Sequence, residues 1–420
     1  MTWLLWPIVL LAPLQPPDAQ RQVMDTLDGS ELAKTQARLE QAARREPSNA
    51  RAWLELARVY AQRKKAAQAL AAADKAEALA GDDARVLDEL ARLFIELQPD
   101  LKKAAALEAR YAEKKPQDQT AWRRAAALYL EAGLPQQAIE AGRRGLANDA
   151  SPELRTILGQ AYTAVHDWDN AAAQLKAALG PGRHDEEAHY RLAQMYILRR
   201  DYASAVGVLV NARQIFGPGP QIGLALGLCY SAMGRFGEAV DEFLKVIAEV
   251  PDARQAYILL GRIVDHAGDR RPEVARRFAE FNAANPADAE GYLLNAKALL
   301  AQSRPGEAAP QADQALALLR KSLALKADGA EARYLAGCVL QSRRQYKAAL
   351  EELEKSIALD PQASAAHLHL AQVYEQLGRA REAARERELQ QRLAEAEREA
   401  PEPTPGLDAP APPGAVQRTP

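Results

Sequence analysis

The sequence predicts an all-α chain, an α-solenoid built by stacking helix-turn-helix units, and three observations predict it. A pattern of apolar and small residues recurs about every 34 residues, roughly ten times. Within each copy the apolar residues fall three and four apart, the spacing of a helix with one buried face. Gly or Ala stands at fixed places among bulky residues, where two helices pressed together would leave no room for a larger side chain.

One stretch shows all three. LALGLCYSAMGRFGEAVDEFLKVIAEVP, Leu224 to Pro251, reads as two amphipathic helices around a turn at Gly234, with Gly227 and Ala239 set among Tyr230, Phe236 and Phe243. In chain order, the earlier copies carry Trp53, Leu56, Ala57 and Tyr60; then Leu87, Leu90, Ala91 and Phe94; then Trp122, Ala126 and Tyr129. Leu158, Gly159, Tyr162, Trp168 and Ala171 follow, and then Leu192, Ala193, Tyr196, Tyr202 and Ala205. After Pro251 come Leu260 with Gly261, a copy near Tyr292, then Ala336, Gly337, Leu340, Tyr346, Ala349 and Pro361, and last Leu370, Ala371, Tyr374, Gly378 and Ala383. A helix over Thr35 to Arg45, closed by Pro47, reads as the second half of a degenerate first unit.

These residues resemble the tetratricopeptide repeat family, whose signature is W-x2-L-G-x2-Y, then A-x3-F, then P. The resemblance runs over nearly all of Ala50 to Ala383. Trp at the first signature position survives only at Trp53 and Trp122, and the closing Pro is replaced by Gly81 and Ala150 in two units. It implies that the eighth and twentieth positions of each unit mark the close helix crossing. It also implies that the stack forms a right-handed superhelix with a concave inner face.

A chain of 420 residues suggests about three domains by length alone. A solenoid has no separate cores, so one elongated domain is expected over residues 20–400, between a signal peptide at residues 1–19 and a proline-rich tail at residues 401–420. The segment MTWLLWPIVLLAPLQPPDAQ has an apolar run from Trp3 to Leu14 followed by prolines and Ala19, the layout of a signal sequence and its cleavage region. The expected location is therefore outside the cytoplasm, periplasmic or extracellular, with membrane contact only if the segment stays uncleaved.

Two internal features break the regular pattern. GPGP at Gly217 to Pro220 reads as an inter-unit turn, with a hinge as the alternative. Leu299 to Leu316 is longer than its counterparts by roughly two helical turns and contains Pro305, Gly306 and Pro310, which reads as an exposed insertion or a contact loop. At the end of the array, Glu382 to Ala400 is a charged helix with a thin stripe, Leu389 and Leu393, and with Glu388 and Arg392 spaced to pair. Such a helix caps a terminal repeat. PEPTPGLDAPAPPGAVQRTP cannot pack a core.

Chemistry is sparse. With 54 basic and 56 acidic residues interleaved, the net charge of −2 leaves no basic tract for nucleic acid. The aromatics sit mostly at signature positions and offer no platform for stacking bases. Cys229 and Cys338 lie in first helices of units about three apart, too far for a disulfide, and read as small buried or half-buried hydrophobes. None of His166, His184, His189, His266, His367 and His369 has metal-site spacing. His184 and His189 flank DEEA at a unit start and read as solvated capping, while His367 and His369 point in different directions on one helix. No phosphate loop or nucleophile elbow occurs. No catalysis, cofactor, metal or small-molecule substrate is expected.

The resemblance implies a protein-protein interaction scaffold that binds a peptide or partner helix in the concave groove. The alternative is a structural or assembly component of a bacterial-type cell envelope that works through the edges of the solenoid. In the family's geometry the fifth, ninth and twelfth positions of each first helix face the groove. Here the middle of the chain offers Tyr190, Gln194 and Ile197, then Leu224 and Leu228, Ile258 and Arg262, Leu293 and Lys297, and Tyr334. Arg262 and Lys297 are its charged handles, and the competing expectation is that the leucines pack against the next unit. Family members that capture acidic C-termini present Lys and Asn from the fifth and ninth positions, a pattern absent from this chain.

Overall fold

A computed structural model describes residues 29–97, 100–118, 120–148, 150–180, 185–302 and 311–399. The signal-peptide expectation, the tail, His184 and residues 303–310 of the 299–316 insertion lie outside these residues. A first helix, α1 (Gly29–Arg45), begins earlier than the expected Thr35. Five helix pairs follow: α2 (Ala50–Gln62) with α3 (Ala66–Leu79), α4 (Ala84–Leu97) with α5 (Leu101–Lys114), α6 (Ala121–Glu131) with α7 (Pro135–Gly145), α8 (Pro152–Ala164) with α9 (Trp168–Ala178), and α10 (Glu186–Leu198) with α11 (Tyr202–Phe216). Five more complete the array: α12 (Pro220–Ala232) with α13 (Phe236–Glu249), α14 (Arg254–Arg262) with α15 (Arg271–Ala284), α16 (Ala289–Leu300) with α17 (Ala312–Leu325), α18 (Ala330–Ser342) with α19 (Tyr346–Leu359), and α20 (Ser364–Gln376) with α21 (Ala380–Glu399). No strand occurs among the described residues. The chain forms two compact units, residues 1–208 and 209–420, with the division inside α11.

Local chemistry starts and stops these helices. Side chains of Asn49, Asp100, Ser151, Asp167, Asp185 and Asp288 accept hydrogen bonds from the first free backbone N–H groups of α2, α5, α8, α9, α10 and α16. The turn inside eight of the pairs is one recurring motif. Its fifteenth residue is left-handed at Lys64, Gly133, His166, Arg200, Gly234, Gly268, Arg344 and Gly378. In all of these except Gly268, that residue's N–H bonds the carbonyl of the twelfth residue and the next N–H bonds that of the eleventh, as in Gly234 to Ser231 at 3.0 Å and Arg235 to Tyr230 at 2.8 Å. This is the Schellman closure, which satisfies carbonyls that a helix end otherwise leaves bare.

In the unit up to Val208, Leu54, Leu87, Leu90, Leu107, Leu154, Leu158 and Leu175 are fully buried. In the unit from Leu209, Phe243, Phe278, Leu319 and Leu353 take that place. A Cβ added to Gly227 would sit 2.5 Å from the Phe243 ring, and one added to Gly337 would sit 2.6 Å from Leu353. Ala239, at the twentieth position, is completely buried.

The pair that begins at Arg254 departs from the expected pattern. Its first helix stops at Arg262 and gives way to 3-10 turns at Val264–His266 and Gly268–Arg270 before α15. The β-branched Ile263 and Val264, followed by Asp265, are weak helix formers. Ile263, Val264 and Ala267 are nevertheless buried, and His266 stacks on Phe236 at 4.1 Å. At GPGP, Gly217 closes α11 with φ +91° and Pro220 opens α12 as its first residue, so the segment is a turn.

The closing helix α21 packs against α20 and buries Ala383, with Leu389 and Leu393 half-buried. Its ion pairs run from Arg379 to Glu382 at 2.9 Å and from Arg387 to Glu375 at 2.5 Å, rather than between Glu388 and Arg392.

Candidate functional site

The positions expected to face a groove differ widely in accessibility. In the unit up to Val208, Tyr190 and Gln194 on α10 are half-buried, and Ile197 is only 8% exposed. Burial holds the Tyr190 hydroxyl above the usual phenol range. Gln194 Oε1 accepts a hydrogen bond from Arg191 at 3.1 Å, and Arg191 is itself buried and paired to Glu187 at 2.6 Å.

In the unit from Leu209, Leu224 and Leu228 on α12 and Ile258 on α14 are half-buried, and Arg262 at the end of α14 is exposed. Leu293 is 8% exposed and belongs to the apolar interior that runs through α16 to α21, with Tyr334 packed against the same interior. Burial first, and the neighbouring Cys338 second, hold the Tyr334 hydroxyl well above the phenol range.

The two charged handles do not match. Lys297 Nζ lies 2.7 Å from Glu331, and its side chain is only 19% exposed. A surface carboxylate on the next first helix therefore already neutralises it. Arg262 makes no ion pair among the described residues. A side chain whose charge is unmatched inside the fold is the one free to match a partner's.

Three other charged first-helix positions are paired to a neighbouring unit. Arg58 reaches Glu89 at 3.0 Å, Arg123 reaches Glu153 at 3.4 Å, and Arg254 reaches Asp288 at 3.0 Å. These pairs join residues 31, 30 and 34 positions apart, so no fixed period leads from each cation to its carboxylate. Sequence reasoning missed the cluster of half-buried Asp88, Arg92, Asp118 and Arg124 around the buried Glu108. Its only sequence signal is Glu108 in the apolar stripe of LKKAAALEARYAEK.

No group of histidine, cysteine and carboxylate side chains able to hold a metal ion occurs among the described residues. Cys229 is buried, Cys338 is half-buried and both are free thiols, pushed up to about 12 by burial. His189 is buried with Nδ1 2.8 Å from the Asp185 carbonyl, so it caps from inside the fold rather than from solvent. His367 faces Glu386 at 2.6 Å and His369 faces Gln341 at 2.7 Å, on different elements as their spacing predicts. No described helix is long and apolar enough to cross a membrane.

The sequence profile described as "Tetratricopeptide repeat" matches residues 23–84, 158–216, 224–270 and 334–402, more than half of the chain. The chain belongs to the tetratricopeptide repeat family. Its fold is similar to that of MamA, at 22% identity over 42% of this chain and 98% of that one, with a TM-score of 0.34. It is similar to yeast Tom70 at 15% identity over 83% of this chain and 92% of that one, with a TM-score of 0.37. The C-terminal part of a TPR repeat-containing protein from Cytophaga hutchinsonii aligns at 17% identity over 68% of this chain and 99% of that one, with a TM-score of 0.44. No curated protein matches the chain.

Proposed function

We propose that the chain is a non-catalytic scaffold for protein partners, and that an amphipathic helix or extended apolar peptide carrying a carboxylate docks on the first-helix face of α12 and α14. The observation that carries this reading is the half-buried Leu224, Leu228 and Ile258 together with an exposed Arg262 that makes no ion pair among the described residues. Half-buried apolar side chains offer area to a partner without an open aggregation surface, and one free guanidinium supplies direction. Lys297 and Tyr334 extend the same positions along this unit as flanking contacts.

The test is the double variant Leu228→Glu with Arg262→Glu, compared with the native chain in capture of partners from the source cell's envelope fraction. The expected result is at least a tenfold loss of capture, about 1.4 kcal/mol, with helical circular dichroism unchanged. Undiminished capture by the folded variant rejects the groove. That result favours the second reading, an envelope assembly component acting through its edges, for which the exposed Leu325 and Leu359 at the ends of α17 and α19 supply an apolar edge.

Export is part of the proposal and rests on the apolar run from Trp3 to Leu14 before Pro16, Pro17 and Ala19. The mature chain should begin between Gln15 and Arg21. N-terminal sequencing of native protein that returns Met1 or Thr2 rejects it.

A further inference from the structure

The second and third helix pairs share a closed charge cluster. Arg124 on α6 is its centre: its guanidinium lies 3.1 Å from Glu108 Oε2 on α5, 3.3 Å from Asp118 Oδ2 in the preceding turn and 4.0 Å from Asp88 Oδ1 on α4. It also donates to Thr120 Oγ1 at 2.7 Å. Arg92, one turn after Asp88 on α4, pairs with it at 2.9 Å. Tyr111 on α5 donates to Asp118 at 3.1 Å, and its ring lies 5.5 Å from the Arg124 guanidinium. Three carboxylates thus face two guanidiniums, and the cluster is one positive charge short when all are ionised.

Glu108 is the deepest of the three, 2% exposed, on the helix whose Ala104 and Ala105 pack in the apolar interior with Leu128. Both Arg124 contacts fall on Oε2, and Oε1 meets no donor among the described residues. A buried carboxylate with too few cations around it is stabilised by taking up a proton.

We propose that this cluster is a proton-operated joint, in which protonation of Glu108 tightens the second helix pair against the third as the pH falls from neutral towards 5. Burial pushes the Glu108 carboxyl up to about 6 against the pull of Arg124, while Asp88 adds to the rise and Arg92 opposes it. The ordinary value of 4.5 applies to the unfolded chain, so the stabilisation is complete below about 4.5 and is lost as the pH rises through about 6.

Hydrogen exchange of the full chain, expressed as protection factors for peptides of α4 to α6, tests it. Local opening should be roughly eightfold rarer at pH 5 than at pH 7.5. Glu108→Gln should flatten this response and at pH 7.5 should protect these helices at least as well as the native chain. Asp88→Asn should keep the response but move it to lower pH, because one repelling carboxylate has gone. A flat native profile, an undiminished response in Glu108→Gln, or an unmoved response in Asp88→Asn overturns the proposal. Should Glu108→Gln fail to fold, the native and Asp88→Asn profiles decide it.

Discussion

At the scale of single residues, the molecule is decided by contacts with no slack. Gly227 is small because the Phe243 ring occupies the volume a Cβ would need. Gly227→Leu and Ala239→Leu should each lower stability by about 1–3 kcal/mol through overpacking. Lys245→Ala should change it by less than about 0.5 kcal/mol, since that side chain is 62% exposed and its partner Glu242 keeps Arg213 at 2.9 Å. Urea midpoints that coincide for all three variants would contradict the crossing. Burial likewise sets the thiols: at pH 8 the native chain should react with a disulfide reagent far more slowly than the urea-unfolded chain, because neither Cys229 nor Cys338 forms appreciable thiolate in the fold. Fast native labelling of Cys229 would show that its helix opens.

At the scale of elements, the Schellman turn repeats through the array whatever residue fills its left-handed position. Gly occupies it at Gly133, Gly234 and Gly378, but Lys64, His166, Arg200 and Arg344 hold the same conformation with a side chain attached. A Cβ there is strained, and the surrounding pair imposes it. Arg344→Gly should therefore stabilise by up to about 0.5–1 kcal/mol, and Gly234→Ala should destabilise by a similar amount. Thermal midpoints that moved the other way would mean that the turn relaxes when its residue changes. In the pair starting at Arg254, Gly268 keeps the left-handed conformation at the same position although the helix before it has already ended. Turn placement therefore follows the packing of the pair, while helix length follows local propensity.

At the scale of the whole molecule, each pair buries its stripe only against its neighbours, so damage should stay local. Gly227→Leu should reduce hydrogen-exchange protection in α12 to α15 and leave α2 to α7 unchanged. Equal loss everywhere would mean that the array opens as one block.

Helices, crossing glycines and the family itself are legible in the sequence because they depend on residues within one repeat, where a period of 3.6 leaves a direct trace. Charge pairing is not legible in that way. Lys297 reads as a free handle until Glu331, 34 residues on, is seen 2.7 Å away. Arg262 has the same formal charge and the same repeat position, and it remains unpaired among the described residues. Glu108 shows the same limit from inside, since nothing in LKKAAALEARYAEK says that its carboxylate meets Arg124 from the next pair. Sequence periodicity determined the repeat, its helices and its small-residue crossings. Only the tertiary structure decided which ionisable side chains were matched, buried or left unpaired among the described residues, because stacking brings together residues that belong to different repeats.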